Sequence, residues 1–170
     1  MHRLFLYNLV LLVVLFSCKN PQDGTDKKAE IESLEITEKD VNNIDYLEFA
    51  LDEKTENTVE DWVEYYQLQN VINNVKKGDL SFFENNEGFI DSTLTAFKKN
   101  IPEQINSPSI SARINAFETK FLKLESFSNL TNVSKKELLS NVEDLLVAFS
   151  NFNLQMNKEV EFDSQNIEKP

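Results

Sequence analysis

Between residues 134 and 156 the chain sets Leu138, Val142, Leu145, Phe149, Phe152 and Met156 at successive spacings of 4, 3, 4, 3 and 4. A strand sends alternate side chains to opposite faces, so only an α-helix gathers these six onto one stripe. Leu139 and Leu146 widen the stripe into a face that one neighbour cannot cover. The segment therefore demands a helix packed among other helices.

Three further stretches supply those neighbours. Ile110, Ile114, Phe117, Phe121 and Leu124 step by 4, 3, 4 and 3, behind Ser107 as N-cap and Pro108 at the first helical position. Phe83, Ile90, Leu94, Phe97 and Ile101 stripe a helix over about 81–100. Ser81 and Glu84 stand at capping-box spacing, Gly88 marks a kink or split, and Pro102 is the stop. Tyr65, Leu68, Ile72 and Val75 stripe the earliest of the four. Thr58 is its expected N-cap, Glu60 and Asp61 complement the positive end of its dipole, and Gly78 closes it after Lys76 and Lys77. The last helix opens on a capping box of Ser134 and Glu137. Three glycines and four prolines in 170 residues are too few for a turn-rich β-sandwich. Short connections favour antiparallel neighbours crossing at roughly +20°. The expected fold class is all-α, an antiparallel up-down four-helix bundle over 58–157, with a flexible tail at 158–170.

Residues 18–57 have a different character. From Lys19 to Asn57 there are 12 Asp or Glu against five Lys, and residues 19–30 offer nothing to bury, which reads as an acidic tether. Within it Val41, Ile44, Leu47 and Leu51 fall at spacings of 3, 3 and 4, and predict an additional short helix over 40–52.

The first 17 residues read as an address. Met1-His2-Arg3 precedes 13 positions, Leu4 to Phe16, that are apolar except for Asn8. Those are the dimensions of a secretory signal peptide. A permanent span of hydrocarbon needs ~20 apolar residues. Ordinary cleavage before Cys18 would place Leu15 at a position where small residues are wanted. Leu15-Phe16-Ser17-Cys18 instead resembles the lipobox of bacterial lipoproteins, a resemblance confined to residues 1–18. It implies that the Cys18 thiol receives a diacylglycerol, that residues 1–17 are removed, and that the new amine is often acylated. Two or more acyl chains anchor stably where one is marginal. Lys19 in place of an aspartate points, by the same resemblance, to the outer membrane of a bacterial envelope, with either face open.

Composition excludes much chemistry. The formal charge of −12 becomes −13 once Arg3 leaves with the signal, which disfavours nucleic acid and anionic headgroups as partners and suits a basic protein. The single histidine is His2 and the single cysteine is Cys18. The processed chain therefore lacks the residues of Ser-His-Asp and Cys-His catalysis, of conventional zinc sites, of histidine-ligated haem and of di-iron bundles. No intramolecular disulfide can form. No glycine-rich phosphate loop is present. "DGTD" at 23–26 has too few oxygen ligands for calcium. The carboxylate groups Glu60/Asp61/Glu64, Glu84/Glu87 and Glu143/Asp144 read as solvated faces, since tuning an acid or base requires burial or a close like charge. No catalytic residue, cofactor or metal is expected.

Asn129-Leu130-Thr131 and Asn132-Val133-Ser134 match the N-glycosylation pattern but read as a polar loop and an N-cap. Arg113, Glu118, Lys120 and Glu125 flank core positions as salt-bridge partners of a bundle. One feature exceeds the needs of a core. Val59, Trp62, Val63 and Tyr66 add a second apolar side to the earliest helix. Either the 40–52 helix covers them or they form a partner-binding patch. The reading that unites these points is a lipid-anchored envelope protein with a non-enzymatic helical interaction or scaffold domain, membrane-bound through Cys18. Two alternatives stay open: a small apolar ligand among the core phenylalanines, and an immunity or inhibitor protein against a basic target.

Overall fold

The two helices with the clearest sequence signals start where expected. The computed structural model describes residues 35–164, with side chains to 162, inside a unit that spans Ser33–Pro170. Cys18 and the lipobox-like segment lie outside the described residues. Helix α5 is Pro108–Ser128 and helix α6 is Lys135–Ser164; the shorter α1 (Glu38–Asn42), α2 (Glu53–Thr58), α3 (Val63–Lys76) and α4 (Glu87–Lys99) precede them. Single 3-10 turns at Ser81–Phe83 and Glu103–Ile105 complete the regular structure, and no strand occurs among the described residues.

Ser107 Oγ accepts the Ile110 N–H, and the Ser134–Glu137 box is reciprocal, with Glu137 Oε2 accepting the Ser134 N–H at 3.0 Å. All five stripe residues of α5 are buried, as are Val142, Leu145, Leu146, Phe149, Phe152 and Met156 of α6. Lys120 and Lys123 reach Asp144 at 2.9 and 3.3 Å, while Ser109 bonds Glu159. The pairing shows that α5 and α6 run in opposite directions. Helix α6 continues through the region expected to be a tail, as far as Ser164.

The earlier half of the chain departs from expectation in three places. Helix α4 begins at Glu87, and Ser81 sits in a separate 3-10 turn whose N–H is held by Asp79 Oδ1, so the Ser81–Glu84 box does not open a helix. The split falls at Asn85, whose φ of 50° breaks the path just before Gly88. The Asn129 amide clamps this break, donating to the Phe83 carbonyl at 2.8 Å and accepting the Asn85 N–H at 3.0 Å. Helix α3 begins at Val63, and Thr58 is instead the last residue of α2, which Asp52 caps.

The largest departure is in the acidic segment. The expected helix over 40–52 is only α1, and residues 43–52 run without regular structure. Leu47 is 79% exposed, which no helix using it as a core position would allow. The segment is a strap held across α6 by its backbone. Ser150 Oγ donates to the Leu47 carbonyl at 2.7 Å and accepts the Phe49 N–H at 2.8 Å. Asn153 Nδ2 donates to the Phe49 carbonyl at 3.0 Å, and Asn157 bonds both the Ala50 carbonyl and the Asp52 N–H. Residues 35–57 are thus part of the fold and not a tether. Helical hydrogen bonds lost in the strap are replaced at Leu47, Phe49, Ala50 and Asp52 by these side-chain ones.

Asn153 also accepts the buried Tyr65 hydroxyl at 3.2 Å. Asn153→Ala would leave the Tyr65 hydroxyl only the Gln69 amide, at 3.3 Å, and would take the side-chain partner from the half-buried Phe49 carbonyl, a cost of about 1–3 kcal/mol. Amide exchange at Phe49 and Asp52 should then accelerate by about 10- to 100-fold while the middle of α5 stays protected.

Candidate interaction surface

Trp62 and Val59 are 1% and 0% exposed, so Val59, Trp62, Val63 and Tyr66 do not form one exposed patch. The Trp62 ring stacks on Phe97 of α4 with centroids 4.6 Å apart and meets the edge of Phe152 of α6 at 6.1 Å. Its cover is the domain's own core, and no 40–52 helix is involved. The physical reason is the turn between α2 and α3. The Trp62 N–H bonds back to the Val59 carbonyl, and this reversal turns both side chains inward. Val63 stays outside at 59% exposure, and Tyr66 is half-buried with its ring edge-on to Tyr65 at 5.2 Å.

What surrounds Val63 and Tyr66 is charge. Glu53, Glu56, Glu60 and Asp61 are exposed, and none has an ion-pair partner among the described residues. Burial, then the carboxylates of Glu56 and Glu60, push the Tyr66 hydroxyl above its ordinary pKa. Glu64 is committed to Asn100, accepting its Nδ2 at 2.7 Å. Glu53, Glu56, Glu60 and Asp61, with Lys54 the one lysine among residues 53–64, concentrate a negative field beside Tyr66. It lies beside the open end of the strap and the first turn of α3.

About 15 residues further along, at the other end of α3, the surface changes. At ~1.5 Å per helical residue that end is roughly 20 Å away. Here a cleft of about 620 Å³ opens between the turn at 77–81 and the loop at 127–133. Glu35, Ile36, Glu84 and Leu138 complete its lining. Gly78 forms the turn with φ +82°, and the backbone of Ile36 and Thr37 lies directly against it. Sequence reasoning passed over this cleft because Leu130 and Val133 stand within a run that reads as a polar loop. Their apolar character in that run was the available signal.

Asp40 ties the beginning of the fold to α6. Its carboxylate bonds Lys135 Nζ at 2.8 Å and the Thr37 hydroxyl and N–H, and these bonds, Lys135 first, hold it down at about 2 from an ordinary 3.8. A depressed carboxylate stabilises the folded state above its unfolded pKa and stops doing so as the pH falls through the folded value. Docking of α1 should therefore weaken between about pH 4 and pH 2. The amide of Val41, followed by NMR, is expected to report that step, and Lys135→Ala should move the Asp40 midpoint upward.

Asp144 is taken by Lys120 and Lys123, and Glu118 by Lys98 at 2.6 Å. Among the described residues no group of His, Cys, Asp and Glu is placed to hold a metal ion. No helix among them is long and apolar enough to cross a membrane. No protein family, curated protein or solved structure matches the chain.

Proposed function

We propose that this chain is a lipid-anchored protein of the bacterial envelope whose helical domain is a non-enzymatic interaction or scaffold module. The observation that carries the reading is the pairing of Leu15-Phe16-Ser17-Cys18 with an all-helical unit that exposes a strongly acidic face. Lipid on Cys18 holds the chain at the outer membrane, and the domain works in the adjoining aqueous phase. Its long helices α3 to α6 close as an up-down four-helix arrangement, a reading supported by the opposed directions of α5 and α6. The acidic face disfavours nucleic acid and anionic headgroups and favours a basic protein partner.

A small apolar ligand in the core is the weaker reading. The rings of Trp62, Phe97, Phe117, Phe149 and Phe152 lie with neighbouring centroids 4.6 to 6.5 Å apart, which fills the space such a ligand would need. The unpaired Glu53, Glu56, Glu60 and Asp61 favour the inhibitor variant of the interaction reading. Crosslinking in native envelopes, with Cys18→Ala beside the unaltered chain, tests the proposal. One dominant basic partner, lost in the variant and released by moderate salt, is the expected result. Crosslinks unchanged by Cys18→Ala would overturn the anchoring.

A further inference from the structure

The cleft beyond the end of α3 has a composition that the acidic face lacks. Leu80, Phe127, Val133 and Leu138 line it and are only half-buried, and Leu130 is 51% exposed. An apolar floor left wet is surface that an occupant could remove from water, the main source of binding free energy. Its volume falls in the range of ~300–1,000 Å³ typical of ligand sites. The charged groups in the lining are Glu35, Asp79 and Glu84 against Lys77. Asp79 is engaged with the Ser81 N–H at 2.9 Å, whereas the carboxylates of Glu35 and Glu84 have no hydrogen-bond or ion-pair partner among the described residues. Phe127 already meets one ammonium, Lys123 Nζ at 5.8 Å from its ring centre. The lining therefore complements a group that is apolar along its body and cationic at its tip.

We propose that the cleft docks a short segment of a protein partner in which Lys or Arg is flanked by Leu, Ile or Val. The apolar side chains cover Leu80, Phe127 and Leu130, and the cation turns toward Glu35 and Glu84. This rests on the interaction-domain reading but assigns it a second surface, separate from the acidic face around Tyr66. An anionic lipid headgroup fits poorly beside three carboxylates.

The test uses the chain from Lys19 onward, which retains the whole unit 33–170, labelled with ¹⁵N. Two fluorescein-tagged probes are titrated, Leu-Lys-Val-Arg-Leu and its counterpart with glutamate at both basic positions. The basic probe should bind, with amide shifts confined to the cleft lining. Leu130→Asp, at an exposed position that leaves the core intact, should weaken binding about tenfold or more. Glu35→Gln combined with Glu84→Gln should weaken it about fivefold and flatten its salt dependence. Equal binding of the glutamate probe, or no binding of either, would overturn the proposal. So would shifts at Glu56, Glu60 and Tyr66 instead, although those would leave the interaction-domain reading standing. Cleft shifts that grow with protein concentration before any probe is added would assign the site to a second copy. Binding of dodecylammonium but of neither peptide would assign it to a small cationic amphiphile.

Discussion

Trp62→Ala is expected to destabilise the domain by about 3–5 kcal/mol, the usual cost of deleting a fully buried large aromatic side chain. The indole is 1% exposed and nearly parallel to Phe97, with an interplanar angle of 6°. Phe152 closes its edge, and Tyr65 lies 5.9 Å away. Removing it leaves a cavity at the junction of α3, α4 and α6 that the rings around it cannot fill without leaving their rotamers. Urea unfolding should show the full loss, and the thermal midpoint should fall by about 10–20 °C. Trp62→Phe is the informative partner. The indole Nε1 is buried without an acceptor, so its removal relieves one desolvated donor while the stack on Phe97 survives. Its cost should be less than half that of the alanine variant. A Trp62→Ala protein as stable as the parent would show that the ring is on the surface after all.

Gly78→Ala is expected to cost about 2–5 kcal/mol, for two reasons that add. At φ +82° any residue with a Cβ pays about 1–2 kcal/mol. The new methyl would also stand 2.6 Å from the Ile36 carbonyl oxygen and 2.8 Å from the Thr37 carbonyl carbon, both backbone atoms that no rotamer change can move. Overpacking of this kind costs about 1–3 kcal/mol more. The failure should begin locally, with α1 lifting from α3, so exchange at Val41 and Ile44 should rise before the rest of the domain melts. Gly88→Ala provides the contrast. It has nothing within 4 Å and an ordinary φ in the first turn of α4, so alanine there should be neutral or stabilising by about 0.4–1 kcal/mol.

These two sites also show what the sequence revealed and what it hid. The starts of α5 and α6 were legible because Ser107-Pro108 and Ser134-Glu137 act within a few residues of themselves, and local chemistry is visible in local sequence. The all-helical class followed from the stripes of α3 to α6, most of whose members are buried. Thr58 misled because the acids after it resemble a first helical turn, while the chain in fact stops α2 there and restarts at Val63. In a single continuous helix Val59 would stand about 120° around the axis from Tyr65, and the break lets Val59 and Trp62 pack inward beside it. That is why Val59 and Trp62 of the apparent patch are core, while Val63 stays outside. The strap was hidden for a longer-range reason. Val41, Ile44, Leu47 and Leu51 have helical spacing, but the partners that hold residues 47–52 extended, Ser150, Asn153 and Asn157, lie about a hundred positions away. The cleft likewise needs two distant loops, 77–81 and 127–133, to be seen together.

Whether the chain works from a membrane to which Cys18 fastens it is read from the mass of the protein extracted from envelopes. A chain fastened there starts at Cys18, is heavier than its sequence by a diacylglycerol with or without a further acyl group, and partitions with detergent. In Cys18→Ala that added mass should vanish and the protein should leave the membrane fraction. A native protein that still carries residues 1–17, or one that begins at an unmodified Cys18, would contradict it.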